Sequence, residues 1–377
     1  MKILGLILEI NPFHTGHKYF IEQAKKIVQP DITIAITSTS FTMRGDVSLL
    51  SKFDKTKLLL QNGIDLVVEL PVAKTLNSAD FFAFHSVDIL NKFGITDLAF
   101  GLENGRVDLL NKILEITETT EFQKRFSLSV QNKDSYKNTF SLVLREFTTD
   151  NEVLNYAEKP NFTLGLQYLK AIKKINNYIN VHAINRVDNF YQNNSYDFKS
   201  AFTLREMFNQ NLDISNYIPY HQSLLNTIDE KTLYNLIKYK FLIDNKNISQ
   251  IALISEGIEN YIFKNLTKNT LNDSLENLCN KRYTKSRFMR IFIASLLNID
   301  KDYDPNEEYL RILGFNQIGL NYINTLPKTL KNRLKTTLKK ENGQTGLLEL
   351  QASKLYDLLT NQNTFDDEFK IPIKNLD

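Results

Sequence analysis

Residues 3–28 read Ile3-Leu4-Gly5-Leu6-Ile7-Leu8-Glu9-Ile10-Asn11-Pro12-Phe13-His14-Thr15-Gly16-His17-Lys18-Tyr19-Phe20-Ile21-Glu22-Gln23-Ala24-Lys25-Lys26-Ile27-Val28. The stretch falls into three parts. Ile3–Leu8 is an unbroken apolar run, the pattern of a strand buried on both faces. From His17 to Val28, Phe20, Ile21, Ala24 and Ile27 recur at helical spacing and form one stripe. Between them Glu9–His17 makes a loop that holds two of the five histidines of the chain. A buried strand, a short loop and a helix in succession form the opening unit of a parallel α/β sheet.

Outward from this unit the alternation continues. Ile32–Thr37 and Asp65–Leu70 read as further buried strands, and Lys52–Gln61 between them as a helix stopped by Asn62-Gly63. Ser78–Phe93 reads as a helix ending at Gly94, Thr96–Gly101 as a fourth strand and Asn180–Arg186 as a fifth. Strands joined through helices pair in parallel by right-handed crossovers, which gives a doubly wound sheet. Such sheets bind ligands beyond the carboxyl ends of their strands. Here those ends are Glu9–His17, Ser38–Arg44, Glu69–Pro71, Gly101–Asn104 and Arg186–Asp188, and all five are expected at one cleft. After about residue 210 the strand pattern fades. Glu230–Ile243, Leu275–Lys281, Thr284–Leu297 and Pro327–Lys340 read as helices of a second domain, and 361–377 as a loose terminus. The expected division is 1–210 and 211–377.

Bulk composition narrows the functional classes. The chain has 377 residues, enough for two domains, with 42% hydrophobic and 24% charged residues. A formal charge of +3 excludes a uniformly basic nucleic-acid binder, so any such surface must be a local patch. A lone cysteine, Cys279, builds neither a disulfide framework nor a zinc site and fits a reducing compartment. No apolar run approaches the roughly 20 residues needed to cross a bilayer, and the apolar start is too short for a secretory leader. The expectation is a cytoplasmic protein with no membrane partner.

The chemistry concentrates in Glu9–His17. Gly16 lets backbone approach a ligand closely. His17 falls at a helix N-terminus, where N–H groups and the dipole attract anions, and His14 faces the same space. Two imidazole donors there can hold an α-phosphate and stabilise the charge that grows as pyrophosphate leaves. Positioning and charge suffice, without a covalent enzyme intermediate. A zinc reading of His-x-x-His lacks a cysteine or carboxylate cluster beside it, and no metal site is expected.

The segment resembles the HxGH signature of the nucleotidyltransferase superfamily. More narrowly, the chain resembles the bacterial tRNA(Met) cytidine acetate ligase family. The stretches that carry the likeness are Glu9–His17, Met43-Arg44-Gly45-Asp46, Asp65–Pro71, Phe100-Gly101-Leu102-Glu103, Lys159–Tyr168, Lys281–Arg287 and Leu313-Gly314-Phe315-Asn316. They span nearly the whole chain. The resemblance implies a Rossmann-like doubly wound parallel sheet of HxGH type with a mostly helical C-terminal domain that binds tRNA.

It also implies a reaction. ATP and acetate form acetyl-adenylate and pyrophosphate, and N4 of the wobble cytidine in elongator tRNA(Met) then takes the acetyl group. ATP is the expected substrate, accompanied by Mg²⁺. The ATP-lining set carried over by resemblance is Ile7, Leu8, Glu9, Ile10, Asn11, Pro12, Phe13, His14, Thr15, Gly16, His17, Lys18, Tyr19 and Phe20, with Gly101, Asn161, Arg186 and Val187. His14, His17 and Arg205 are the catalytic candidates, Arg205 as the grip on the departing phosphates.

Three positions depart from the family pattern: Thr39 in Ser38-Thr39-Ser40-Phe41, Phe202 in Ser200–Arg205, and Leu102 in the Phe-Gly-x-Glu string. The changes at Thr39 and Phe202 keep open a nucleotide-sensing or RNA-binding protein without catalysis. The other alternative keeps the fold and changes the substrate: an adenylyltransferase for a small cofactor precursor, a class that normally lacks the helical half.

Lys281, Arg282, Lys285, Arg287 and Arg290 lie within ten residues, with Tyr283 and Phe288 among them. Cations mixed with aromatics can contact phosphates and stack on bases, so this cluster is the expected tRNA surface. A second run, Lys328, Lys331, Arg333, Lys335, Lys339 and Lys340, is equally well read as a solvated helix face. His85 is expected to pack and His182 to take a core or supporting place beside the cleft, while His221 falls in a loop with no visible partner. Asp80 and Glu69 are carboxylates that could meet Mg²⁺, though no pattern singles them out.

Overall fold

A computed structural model describes residues 1–102, 105–130, 136–159, 161–185, 198–339, 343–370 and 372–375. Five strands run in parallel as expected: β1 (Ile3–Leu8), β2 (Ile32–Ser38), β3 (Leu66–Leu70), β4 (Asp97–Leu102) and β5 (Asn180–Asn185), in the spatial order β5-β4-β1-β2-β3. Register is fixed by side-chain alternation. Leu4, Leu6, Leu8, Ala35 and Val67 face one apolar layer, while Ile3, Ile32, Ile34, Ile36, Leu66, Val68 and Leu70 face the other. A slip by one residue would exchange the faces, so burial on both sides holds the pairing. The strand order reverses between β1 and β4, which opens a crevice at their carboxyl ends.

The chain beyond residue 210 is mostly helical but returns to the sheet. β6 (Leu310–Asn316) pairs antiparallel with β3, and β7 (Leu334–Lys335) and β8 (Ile373–Asn375) both pair with β6 in parallel. Three expectations are corrected here. The strand pattern does not end at residue 210. Pro327–Lys340 is a short helix, Lys328–Lys331, followed by β7, with Lys340 outside the described residues. The region expected to be a loose terminus carries a 3₁₀ turn, Phe365–Phe369, and β8.

The helices of the second half share a separate apolar core built on Ile237, Phe241, Ile262, Phe288 and Phe292, into which Phe41, Val72 and Leu76 of the first half also project. A buried ionic cluster pins the C-terminal segment to the sheet. The Lys52 ammonium lies 2.7 Å from Glu69, 3.0 Å from Glu349 and 2.8 Å from Glu368. Arg311 on β6 bonds Glu368 and approaches Glu69 at 3.4 Å, and the Tyr309 hydroxyl donates to Glu69 at 2.6 Å. Every one of these side chains is almost wholly inaccessible. No helix among the described residues is long and apolar enough to cross a membrane.

Candidate active site

The helix that follows β1, Thr15–Val28, is started by the two histidines themselves. His14 is the N-cap: its Nδ1 accepts the Gly16 N–H at 3.0 Å, and the His17 Nδ1 accepts the His14 N–H at 3.3 Å. This reciprocal box leaves each neutral ring with its proton on Nε2, so both act as N–H donors from that atom. The rings stand 4.0 Å apart between centroids, and His17 stacks on Phe13 at 5.6 Å. Gly16 owes its identity to this pairing. A Cβ there would lie 2.8 Å from Cε1 and 2.9 Å from Nδ1 of His14.

Both rings line a cleft of about 540 Å³, within the size range of small-molecule sites, at the crevice between β1 and β4. From the expected ATP set it brings together Ile7, Leu8, Glu9, His14, Gly16, His17, Tyr19, Phe20, Gly101 and Asn161. Asn161 sits at the N-cap position of the Phe162–Ile175 helix. Five other members stand behind the wall. Ile10 and Phe13 are fully buried in the core, Pro12 and Thr15 are buried, and Asn11 is a brace. The Asn11 Nδ2 donates to Val47 O at 3.1 Å and its Oδ1 accepts the Leu49 N–H at 2.8 Å. Lys18 is half-buried and does not line the cleft. Arg186 and Val187 lie outside the described residues.

Arg205, on the Ala201–Asn209 helix, donates from Nη1 to Asn11 O at 2.8 Å and faces Asp46 at 3.5 Å. It therefore supports the loop that presents the histidines, and it does not line the cleft wall itself. Phe202, the departure three places earlier, is 60% exposed and lies 5.9 Å from the Arg205 guanidinium. Thr39 is buried and donates to Glu349 at 3.3 Å, so the residue after β2 belongs to the ionic cluster and not to a phosphate site.

Several lining residues carried no assigned role in the sequence: Met43, Arg44, Phe82, Phe100, Leu164, Tyr168, Asn185, Phe198 and Lys199. Most are apolar or aromatic residues whose helical or strand periodicity reads only as core. The Met43-Arg44-Gly45-Asp46 turn was legible as a family-like string, and the structure gives the reason for its glycine. Gly45 has φ +83, and a Cβ there would lie 2.6 Å from the backbone nitrogen of Arg290.

That contact revises the expected tRNA cluster. Arg290 is drawn inward, donating from Nη1 to Met43 O at 3.3 Å, and burial holds its pKa down. Tyr283 and Phe288 are buried and unavailable for base stacking. Lys281, Arg282 and Lys285 remain at the surface, with Arg282 paired to Glu256 and Lys285 donating to Asn272 at 3.2 Å. Arg287 stacks over Tyr283 at 4.8 Å.

In the second run Arg333 pairs with Glu308, and Lys335 lies over Tyr309 at 5.1 Å. Glu69 is consumed by Lys52, Arg311 and Tyr309 and is not open to a metal, and Asp80 accepts from the Ser78 hydroxyl. His85 is packed against Phe84, and burial pushes it down to about 4. His182 pairs with Asp97 at 2.7 Å, and His221 caps Ser223.

The fold and cleft define a Rossmann-like site in which a helix N-terminus and two histidine rings border a cavity at the strand-order reversal. The profile of the HIGH nucleotidyl transferase family matches residues 1–370, and the chain belongs to that family. It is 32% identical to the tRNA(Met) cytidine acetate ligase of Thermosipho africanus, over 99% of each chain. It is also 32% identical to that of Caldicellulosiruptor saccharolyticus, over 95% of this chain and 94% of the other. The structure of Thermotoga maritima TmcAL bound with alpha-thio ATP superposes with a TM-score of 0.86 at 26% identity, over 99% of both chains. The apo structure of the same protein gives a TM-score of 0.88 at 27% identity over the full length of each.

Proposed function

We propose that this chain is an ATP-dependent tRNA(Met) cytidine acetate ligase. The observation that carries the reading is the His14–His17 pair, capping a helix and lining the cleft at the strand-order reversal. End-to-end similarity to ligases of that name supports it. ATP lies along the cleft with its α-phosphate at the two Nε2–H donors and the helix N-terminus. Asn161 and Gly101 border the nucleotide. Arg205 holds the Asn11 carbonyl and so fixes the loop around the leaving pyrophosphate.

An acetate oxygen attacks the α-phosphorus, the bond to the bridging oxygen breaks and pyrophosphate leaves, so that the acetyl carbon now carries AMP as a good leaving group. The exocyclic amine of the wobble cytidine then attacks the activated acetyl carbon. Among the described residues no group of three or more His, Cys, Asp or Glu side chains could hold a metal. Mg²⁺ arrives on the triphosphate, whose oxygens are the hard ligands it prefers. Lys281, Arg282, Lys285 and Arg287 offer the cationic surface for elongator tRNA(Met), and tRNA as substrate places the reaction in the cytoplasm. Catalysis belongs to residues 1–210 and tRNA binding to 211–377, with β6 and β8 lent back to the sheet.

The test is incubation with ATP, labelled acetate and tRNA, followed by nucleoside analysis. N4-acetylcytidine at the wobble position, with pyrophosphate released in an acetate-dependent manner, is the expected result. Tight ATP binding with no acetylcytidine would leave a nucleotide-binding protein. Pyrophosphate release that ignores acetate would point to a different acceptor.

A further inference from the structure

Transfer of the acetyl group to a cytosine amine sheds a proton, and the cleft must hold a group able to receive it. The two histidines are poor candidates, because each Nδ1 is occupied as an acceptor inside the capping box and each Nε2 carries hydrogen. Among the described residues lining the cleft, Glu9 is the only carboxylate. It stands at the end of β1, five residues before His14, on the same wall as both rings.

Its two oxygens are differently placed. Oε1 accepts the Met43 N–H, which fixes the carboxylate plane. Oε2 has no hydrogen-bond partner among the described residues. The Met43 carbonyl in turn receives Arg290, from the helix Lys285–Leu296 that follows directly on Lys281 and Arg282. Glu9 therefore sits in the cleft wall with both rings and is tied through the Met43 turn to the helix that carries Arg290. Under the ligase reading, this cleft is where a base delivered from an RNA meets an acyl group on the α-phosphate.

We infer that Glu9 is the cytosine-reading general base of the transfer step. This inference rests on the ligase reading above. Oε2 accepts the N4–H, the contact by which a carboxylate recognises cytosine, while the O4 of uracil at that place would face a carboxylate with no proton between them. As the amine nitrogen bonds to the acetyl carbon, one N4 proton passes to Oε2. The bond from the acetyl carbon to the adenylate oxygen breaks, and its electron pair leaves with AMP. The protonated Glu9 then returns its proton to solvent.

Burial raises the Glu9 pKa above the usual carboxylate value, which suits a base working near neutral pH. The Met43 N–H, Arg44 and Lys55 lower it and Asp46 raises it, while Arg205, Arg290 and Tyr168 share its field. The His14 and His17 rings line the same cleft. The contribution of Glu9 is therefore read as the difference between parent and variant.

Pre-formed acetyl-adenylate, supplied in single turnover with tRNA, isolates this step from ATP use. Glu9→Gln keeps the volume and an acceptor oxygen but cannot take a proton. The expected result is a transfer rate constant lower by about 10²–10⁴-fold with a much smaller change in the half-saturating tRNA concentration. The rise of the parent rate with pH, through one ionisation above the ordinary glutamate range, is lost in the variant. Transfer within about tenfold of the parent and with the same pH profile overturns the proposal. If Glu9→Gln does not fold, judged by ATP-dependent thermal protection, the parent profile decides, because a rate flat from pH 5 to 8 also overturns it. A parent that makes no acetylcytidine from acetyl-adenylate refutes the ligase reading instead, so the two failures are distinct.

Discussion

At the scale of single residues, the site works by making the histidines cap their own helix. The His17 Nδ1 is held by the His14 N–H, so the ring cannot turn without losing that bond. His17→Ala removes a preorganised donor to the charge developing at phosphorus, typically worth about 10²–10³ in rate. Acetate-dependent pyrophosphate release should fall by that factor, while ATP binding by calorimetry should change far less. Equal losses in both would show that His17 only binds.

Gly16→Ala tests the packing of the pair. Its Cβ would sit 2.8 Å from the His14 ring, so the ring must swing out of the cap. We expect a thermal midpoint within a few degrees of the parent and adenylate formation reduced at least tenfold; full activity would mean that the ring position is not critical. The histidine pair and its glycine were legible because the motif is local. The supporting role of Arg205 was not, because its partner, the Asn11 carbonyl, lies 194 positions away.

At the scale of elements, β1 to β4 could be read from apolar runs because each is buried on both faces and hydrophobic along most of its length, whereas β5, at the sheet edge, is only half-buried. β6 escaped the same reading because Arg311 interrupts its apolar run. A charge inside a central strand makes sense only once Glu69 and Glu368 are beside it. The basic stretch 281–290 divides by three-dimensional placement, Lys281 and Arg282 in the turn before the Lys285–Leu296 helix and Arg290 on its inner side. Arg290 turns to the Met43 turn while Lys281, Arg282 and Lys285 face outward.

Replacing those three surface cations with alanine should leave acetyl-adenylate formation at the parental rate. It should also weaken tRNA modification and flatten its salt dependence, since each lost phosphate contact lowers the slope of log K against log salt by about one. Unchanged transfer would move the tRNA surface elsewhere.

At the scale of the whole molecule, the ionic cluster of Lys52, Glu69, Arg311, Glu349 and Glu368 joins two helices, two strands and the C-terminal turn. Removing one partner from such a cluster leaves charge buried and unpaired, so Lys52→Met should cost about 3–5 kcal/mol in denaturant unfolding. Burial and the neighbouring Glu69 carboxylate push Glu349 up to about 7. In its folded state Glu349 thus keeps a proton that the unfolded chain releases near 4.5. Its contribution to stability is present below that value and is lost as pH rises through 7. Glu349→Gln lacks this loss, so the stability of the variant relative to the parent should increase between pH 5 and 8; a constant difference would refute the shift.

The sequence by itself determined the parallel core, the nucleotide loop and the family, because strand burial, helix capping and a short motif are all written in neighbouring residues. Tertiary structure alone decided which loop residues face the cleft, which cations face solvent and how the C-terminal segment closes the sheet. Those outcomes depend on charges and packing surfaces that meet across hundreds of positions, and no local pattern encodes such a meeting.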